Sequence, residues 1–489
     1  MTQDEALDIL KMGYSVFLTG APGTGKTFVL NEYIKYLKSH NIYPAITAST
    51  GIAATHIGGQ TIHSWSGIGI YEKLDASILD KLDQNEKLFK RIKSVKILII
   101  DEISMLHASR LEMINFILKR IRKDKSPFGG LQIIFCGDFC QLPPITSSWA
   151  ESSEKDFVYT SKVWQELNPV ILYLTENYRH KDQVMLDILD KIRSQRDIEN
   201  VYQKLYENIK QPNLEKQIIL DTENKDEIIK LYTHNIDIDN INKKKYEALS
   251  KDKKEFIFEV RTSGKSNLIE NLKSTCLAPE ILYLKVGVKV IFVRNDLNKR
   301  YQNGTLGEII DFDVSNMPIV KTFSGTEIIV QNETWQYVNE DGKVLAEINQ
   351  LPLRYAWAIT VHKSQGMTLD AAEIDLSRAF GTSMGYVALS RVKRFENITL
   401  IGLHPEALKM NPSVIIQNGI FQQKSEMASK NLKNYYNNTG KKEKEILKKF
   451  ENFILVCNGD LKEHSLAETE KIEKNNLNKT KKKKYKINL

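Results

Sequence analysis

Short, wholly apolar runs alternate with segments of helical period along the first third of the chain. Residues 15–19, 45–48, 95–100 and 131–136 are such runs, each followed by a polar or glycine-bearing loop. A strand covered on both faces meets no water, so the pattern predicts a parallel sheet between helical layers. Between the first two runs, Leu30, Tyr33, Ile34 and Leu37 recur at helical spacing and mark one buried face. A second alternating set opens at Val170–Leu174. It pauses over residues 296–351, where Asn303-Gly304 and short Val/Ile-rich segments predict hairpins of a small β module. The alternation resumes over 353–361 and ends over 398–401.

The expected fold class is therefore α/β, with two parallel-sheet domains. The first takes residues 1–65 and 91–169, and the second takes 170–295 and 352–405. A polar, helix-prone insertion fills 66–90, the β module fills 296–351, and a helical, then Lys/Asn-rich, extension fills 406–489.

Composition narrows the class only a little. A chain of 489 residues exceeds what one core organises, in keeping with two domains. No apolar run approaches the ~20 residues of a membrane span, and Met1-Thr2-Gln3-Asp4-Glu5 has neither the basic nor the apolar part of a leader. These features predict a cytoplasmic protein, nucleoid-associated if bacterial, without a membrane partner. Cys136, Cys140, Cys276 and Cys457 show no CxxC pairing and read as reduced, buried thiols. The net charge of +8 resides at one end: residues 424–489 hold 17 lysines and 9 acidic groups, leaving residues 1–423 formally neutral. The run around Lys479–Lys486 is either a solvated end or a contact for nucleic acid. Global charge is no argument that the core binds a polyanion.

The chemistry is carried by motifs at strand ends, where ligands bind in such sheets. Gly20-Ala21-Pro22-Gly23-Thr24-Gly25-Lys26-Thr27 fits GxxxxGK[ST] between a strand and a helix. Its glycines let backbone N–H groups turn toward phosphate oxygens, and the helix N-terminus adds positive potential. Lys26 neutralises the outer phosphates and Thr27 offers a hydroxyl to Mg²⁺. The run 97–100 delivers Asp101 and Glu102. Asp101 suits a magnesium site that keeps most of its waters, and Glu102 suits the orientation of an attacking water. An Asp-Glu pair after a strand also makes a helix cap, and the two roles are compatible. Gly137-Asp138-Phe139-Cys140-Gln141 comes after the next strand, so Gln141 can hydrogen-bond a γ-phosphate, with Pro143-Pro144 stiffening the adjoining segment. Arg179 and Arg391 are candidates to balance charge spreading over a transferring phosphoryl. Together these residues imply ATP with Mg²⁺.

With the motifs in this order, residues 3–412 resemble superfamily-one helicases, and among them the petite-integration-frequency (Pif) family. Thr47-Ala48-Ser49-Thr50-Gly51 with His63-Ser64, and Tyr355 through His362-Lys363-Ser364-Gln365-Gly366-Met367-Thr368, carry the likeness. So does Asp101 through Leu106, running into a helix over 111–122 with the stripe Leu111, Ile114, Leu118 and Ile121. That stripe is also what any core-facing helix shows.

The resemblance implies two RecA-like motor domains, a wedge-bearing insertion at 66–90 and an SH3-like module at 296–351. It implies that Gln3 reads adenine, with Phe28 and Gly366 also near the nucleotide. Arg179 and Arg391 would be arginine fingers of the second domain, and His362 and Lys363 would lie on the DNA track. It implies 5′-to-3′ travel. The expected partners of a monomeric motor are single-stranded DNA and duplex or forked DNA, with RNA–DNA hybrid and quadruplex as open alternatives for the structure unwound. Thr47, Ser49, Thr50, His63 and Trp65 supply groups near strand ends suited to sequence-independent grip. Trp65 reads equally as a core aromatic. The extension after Lys424 matches no motif.

Three competing readings give opposite expectations. An ATPase loader would lack the second-domain loop at 362–368, a non-enzymatic binder would lack an intact Lys26, Thr27, Asp101 and Glu102, and a RecD-like helicase would lack the helix after Asp101.

Overall fold

A computed structural model gives the fold of residues 1–439 apart from 70, 72, 145–155, 211–228, 251, 277, 295, 297–299, 302–304, 323–324, 339–343 and 370. The expected turn at Asn303-Gly304 and the Lys-rich run near the C-terminus lie outside the described residues.

Six strands make the first sheet: β1 (Val16–Gly20), β2 (Ala45–Ala48), β3 (Gln60–Thr61), β4 (Ile97–Asp101), β5 (Gln132–Cys136) and β6 (Val170–Leu174), in the order β3-β2-β4-β5-β1-β6. Every neighbouring pair is parallel. β1, β4 and β5 are buried at all five positions, the reason they read as continuous apolar runs. Alternate residues serve opposite layers. Val16, Leu18, Ile97, Ile99 and Ile134 pack with Ala6, Ile9, Leu10 and with Leu30, Tyr33, Ile34 and Leu37 of helix Lys26–Ser39. Phe17, Leu98, Ile100, Ile133 and Phe135 pack with Leu111, Ile114, Leu118 and Ile121 of helix Ala108–Arg122. Each Val, Leu, Ile or Phe side chain among them contributes ~1.5–3 kcal/mol on burial.

One domain assignment is corrected. Val170–Leu174, expected to open the second domain, pairs in register with β1 from Val16↔Val170 to Gly20↔Leu174. Periodicity identified the strand but carries no information on its neighbour.

Among the described residues, the second parallel sheet has four strands: β7 (Ile229–Tyr232), β18 (Ala358–Thr360), β19 (Ala372–Leu376) and β20 (Ile398–Leu403), ordered β18-β7-β19-β20. Between β7 and β18 runs an antiparallel module wider than the expected 296–351. It comprises β8 (Phe256–Glu259), β9 (Arg261–Gly264), β10 (Ile281–Leu284), β11 (Lys289–Phe292), β12 (Leu306–Phe312), β13 (Pro318–Thr322), β14 (Glu327–Ile329), β15 (Glu333–Val338), β16 (Val344–Gln350) and β17 (Leu353–Tyr355). Five of these form the sheet β14-β13-β12-β11-β17, so strands on both sides of the expected limits belong to the module. The run 353–361 divides accordingly between β17 and β18, in different sheets. The insertion at 66–90 contributes helices Ala76–Asp83 and Glu86–Ser94, whose Leu82, Leu88 and Ile92 join the core beside helix Ala108–Arg122.

The extension expected over 406–489 begins as a structural element of the core. Helix Pro412–Thr439 lies against the first sheet, burying Phe421 in one layer and Leu432 in the other. Ser425 Oγ accepts the Tyr173 N–H of β6 at 2.9 Å, and Lys433 pairs with Glu5 at 3.1 Å. No helix among the described residues is long and apolar enough to cross a membrane.

Candidate active site

Strands β4, β5 and β1 lie side by side, so their C-terminal ends place three motifs next to one another. The loop after β1 needs glycine where it turns: Gly23 and Gly25 sit at φ +86° and +85°. A methyl group on Gly25 would lie 2.0 Å from Gln3 Nε2, and one on Gly23 would lie 2.4 Å from Arg179 Cβ. Gln3 Nε2 donates to Thr24 O at 3.1 Å, so the residue expected to read adenine also closes the loop. Lys26 Nζ donates to Gly20 O (2.8 Å) and Ala21 O (3.2 Å). Burial lowers the Lys26 pKa, opposed by Asp138, Cys136 and Glu102. Thr27 and Phe28 open the following helix and are exposed, Phe28 by 58%.

At the end of β4, Asp101 is buried and forms no salt bridge among the described residues; Oδ1 accepts the Glu102 N–H at 2.8 Å. Burial raises its pKa, against hydrogen bonds from the Cys136 thiol and the Glu102 N–H. A buried carboxylate at the end of β4 and an exposed threonine at the start of the helix after β1 are oxygen donors of the kind Mg²⁺ takes, and the residues fit that ion chemically. Glu102 adopts left-handed backbone, φ +49° and ψ +44°, a conformation costing ~1–3 kcal/mol for such a residue and held only by its surroundings. Ser49 supplies that hold: its N–H donates to Asp101 O at 3.1 Å and its Oγ to Glu102 O at 2.6 Å. Burial, and then the Asp101 charge, push the Glu102 carboxyl up to about 7.

Loops of the second sheet reach into this centre. Gln365 Nε2 donates to Glu102 Oε2 at 2.9 Å. Arg391, 1% exposed, donates to Val387 O (2.9 Å), Ser390 Oγ (2.8 Å) and Gln141 Oε1 (3.5 Å). Arg179 Nη1 donates to Ser390 O at 3.2 Å. Contrary to expectation, Arg179 stands on the segment just after β6, which leans on the phosphate loop through Tyr178 N–H to Gly23 O (2.8 Å) and Asn177 Nδ2 to Pro22 O (2.9 Å). Burial lowers the Arg179 pKa to about 10, and burial with the Arg179 charge lowers that of Arg391 to about 9. His180, desolvated and beside Arg179, falls to about 4 and stays neutral. Two guanidinium groups still charged at neutral pH, desolvated and mutually repelling, are matched to an anion.

The expected nucleic-acid contacts fare differently. Thr47 is fully buried, its Oγ1 donating to Ile99 O at 2.6 Å. Ser49 is committed to the Asp101-Glu102 backbone, and Trp65 is 2% exposed in the core. These three side chains are removed from the expected DNA surface: strand position turns Thr47 inward, helix face turns Trp65 inward, and Ser49 is drawn in by its bonds to Asp101 and Glu102. Thr50 is partly exposed, and its Oγ1 accepts the Ala53 N–H at 3.3 Å. His63 is half-buried, its pKa lowered by burial and then Arg110. His362 and Lys363 are partly exposed and adjoin Gln365 on one loop; burial lowers both pKa values. Gly366 is exposed on the same loop. Sequence reasoning missed Phe380, 47% exposed, whose ring stacks on His362 at 6.3 Å. It also missed Arg193, which is buried and paired with Asp138 at 2.7 Å. A lone aromatic in a turn and an arginine on an amphipathic helix leave no motif.

A phosphate loop, two strand-end carboxylates and arginines from two abutting parallel-sheet units define the class of motor ATPases. The PIF1-like helicase family profile matches residues 4–210. The ATP-dependent DNA helicase Pif1 of Psychrobacter sp. (strain PRwf-1) is 36% identical, with 97% of this chain covering 78% of that protein. Among solved structures, Bacteroides sp. Pif1 in complex with ADP-AlF4 is 27% identical at a TM-score of 0.71, covering 86% of this chain and 96% of that one. Pif1 from Bacteroides with ADP-AlF3 and single-stranded DNA is 27% identical at a TM-score of 0.61, with the same coverage. The chain belongs to the PIF1-like helicase family and is an ATP-dependent DNA helicase.

Proposed function

We propose that the chain translocates 5′-to-3′ on single-stranded DNA and unwinds duplex or forked DNA ahead of it, using ATP with Mg²⁺. The carrying observation is the loop after β18. It gives Gln365 to Glu102 at 2.9 Å while its neighbours His362 and Lys363 remain partly exposed. One loop thus faces the hydrolytic centre and the candidate DNA surface together, so closure of the two sheets on ATP alters the grip on DNA.

In this reading Thr27 and Asp101 hold the metal, which when bound neutralises charge on the phosphates. Lys26 holds the outer phosphates, with the backbone of residues 20–27 around them. Glu102, ionised, orients and polarises the attacking water. Gln141 contacts the γ-phosphate, and Arg179 and Arg391 stabilise its developing charge. Gln3, Phe28 and Gly366 border the base and sugar. Thr50, His63, His362 and Lys363 grip phosphates and bases without sequence preference. The direction rests on the family resemblance, to which the single-stranded DNA held by the Bacteroides relative adds support for the substrate. The test is unwinding of duplexes bearing a 5′ or a 3′ single-stranded overhang, with ATP. Only the 5′-tailed duplex is expected to open; opening of the 3′-tailed duplex alone would reverse the assigned direction.

A further inference from the structure

Helix Pro412–Thr439 carries no motif, yet one of its faces is fitted to the segment that holds Gln141. Asn418, Phe421 and Ser425 fall three and four residues apart, along one stripe. Asn418 Oδ1 accepts from Arg193 Nη2 at 3.1 Å. Arg193 in turn donates through Nη1 to Asp138 Oδ2 at 2.7 Å and to the Tyr386 hydroxyl at 2.9 Å, and through Nε to the Tyr173 hydroxyl at 3.1 Å. Phe421 stacks on Phe139 with ring centroids 5.9 Å apart and meets Phe17 edge-on at 5.1 Å. Asp138 and Phe139 stand three and two residues before Gln141, whose N–H donates to Asp138 O at 2.9 Å and whose Nε2 lies 3.4 Å from Asp138 Oδ2. Gln141 Oε1 then faces Arg391 Nη2 at 3.5 Å. The C-terminal helix therefore reaches the nucleotide side by two routes, a polar one through Arg193 and Asp138 and an aromatic one through Phe139.

Stability alone accounts poorly for this arrangement. A buried Arg–Asp pair in an otherwise apolar layer gains little over an apolar replacement. Its planar fork does fix direction: one guanidinium holds the β5 loop, β6, the helix that leads to Arg391, and the C-terminal helix at once. We propose that Arg193 is a positioning residue for ATP hydrolysis. Held by Asn418, with Phe421 backing Phe139, it fixes the angle at which Gln141 meets the γ-phosphate. The C-terminal helix then sets the turnover rate of a site to which it contributes no reacting group.

The inference rests on the assignment of Gln141 above, and the test separates the two. Full-length Asn418→Ala, Phe421→Leu, Arg193→Lys, Gln141→Ala and the pair Gln141→Ala/Asn418→Ala are assayed for ATPase at saturating single-stranded DNA. Arg193→Lys keeps a charge for Asp138 while losing the fork, so it tests the route even where loss of the whole side chain would unfold the protein. Asn418→Ala, Phe421→Leu and Arg193→Lys are each expected to lower kcat ~5- to 10-fold, with KM for ATP and DNA affinity within about twofold of the parent. In the Gln141→Ala background, Asn418→Ala should lower kcat no further, since both act through one side chain. A lowered melting temperature with kcat unchanged would reduce the brace to a structural one and overturn the proposal. Full additivity of the pair would overturn it as well, while leaving Gln141 its role. Normal turnover of Gln141→Ala would remove the Gln141 assignment and the coupling with it.

Discussion

In the first sheet, β4, β5 and β1 end side by side and hand the candidate site a phosphate loop, Asp101, Glu102 and Gln141 from adjacent strands. In the second sheet, the loop after β18 and the helix Met384–Leu389 lead to Gln365 and Arg391, which enter that same site from across the interface. One unit supplies most of the candidate site; among the described residues the other reaches it through the side chains of Gln365 and Arg391. A hydrolytic centre must hold several groups to within a fraction of an ångström, so it is assembled on one rigid sheet. A motor must also let that centre feel a second body, and for that a few contacts made and broken are enough.

The comparison is broken most sharply at the first sheet. Lys26→Ala and Glu102→Gln are expected to lower DNA-stimulated ATP hydrolysis by ~10²–10⁴-fold while single-strand binding stays largely intact. Parallel ATPase and fluorescence-anisotropy measurements check both halves. Turnover near the parent level in either variant would mean that the chemistry is not built where the strands converge.

A smaller effect probes the contact between sheets. With its pKa near 7, the Glu102 carboxyl is increasingly protonated as pH falls below neutrality, and the neutral form cannot polarise water. The free enzyme's profile of kcat/KM should therefore plateau above about pH 8 and fall by ~10-fold per unit well below pH 7. The Gln365 amide donates to the charged form, so Gln365→Ala should move the inflection upward. A carboxylate at its ordinary value would instead leave the profile flat down to about pH 5.5.

The first sheet and the antiparallel module were also unequally legible. Strands β1, β2, β4, β5 and β6 fall within two residues of the apolar runs, because strands buried on both faces have few polar positions to blur them. In the β module, β8 alternates in burial and β9 is exposed throughout, so neither shows an apolar run to read. The candidate site obeys the same logic. Residues that need fixed spacing, such as Lys26 with Thr27 or Asp101 with Glu102, announce themselves as motifs. Grip on DNA of any sequence demands no such spacing, and Thr47 and Trp65 were drawn toward it by position alone. Arg193 was silent because its four partners lie 20 to 225 residues away in the chain.

The smallest expected effect concerns the charge beyond both sheets. Sequence alone would place a truncation near residue 423, but that cut would remove Ser425, Ser429 and Leu432 from a helix packed on the first sheet. Removal of residues 440–489 spares the helix and takes away 14 lysines and 8 acidic groups. Each lysine–phosphate contact on a single strand releases a counterion and adds ~0.7 to the slope of log affinity against log salt. If three such contacts form, the truncated chain should bind single-stranded DNA with a slope smaller by ~2 and lose most affinity at low salt. Its kcat at saturating DNA should match the parent, since no group of the reaction centre is touched. An unchanged slope would mean that the lysines are solvated and that the formally neutral part of the chain, residues 1–423, grips DNA through locally placed side chains alone.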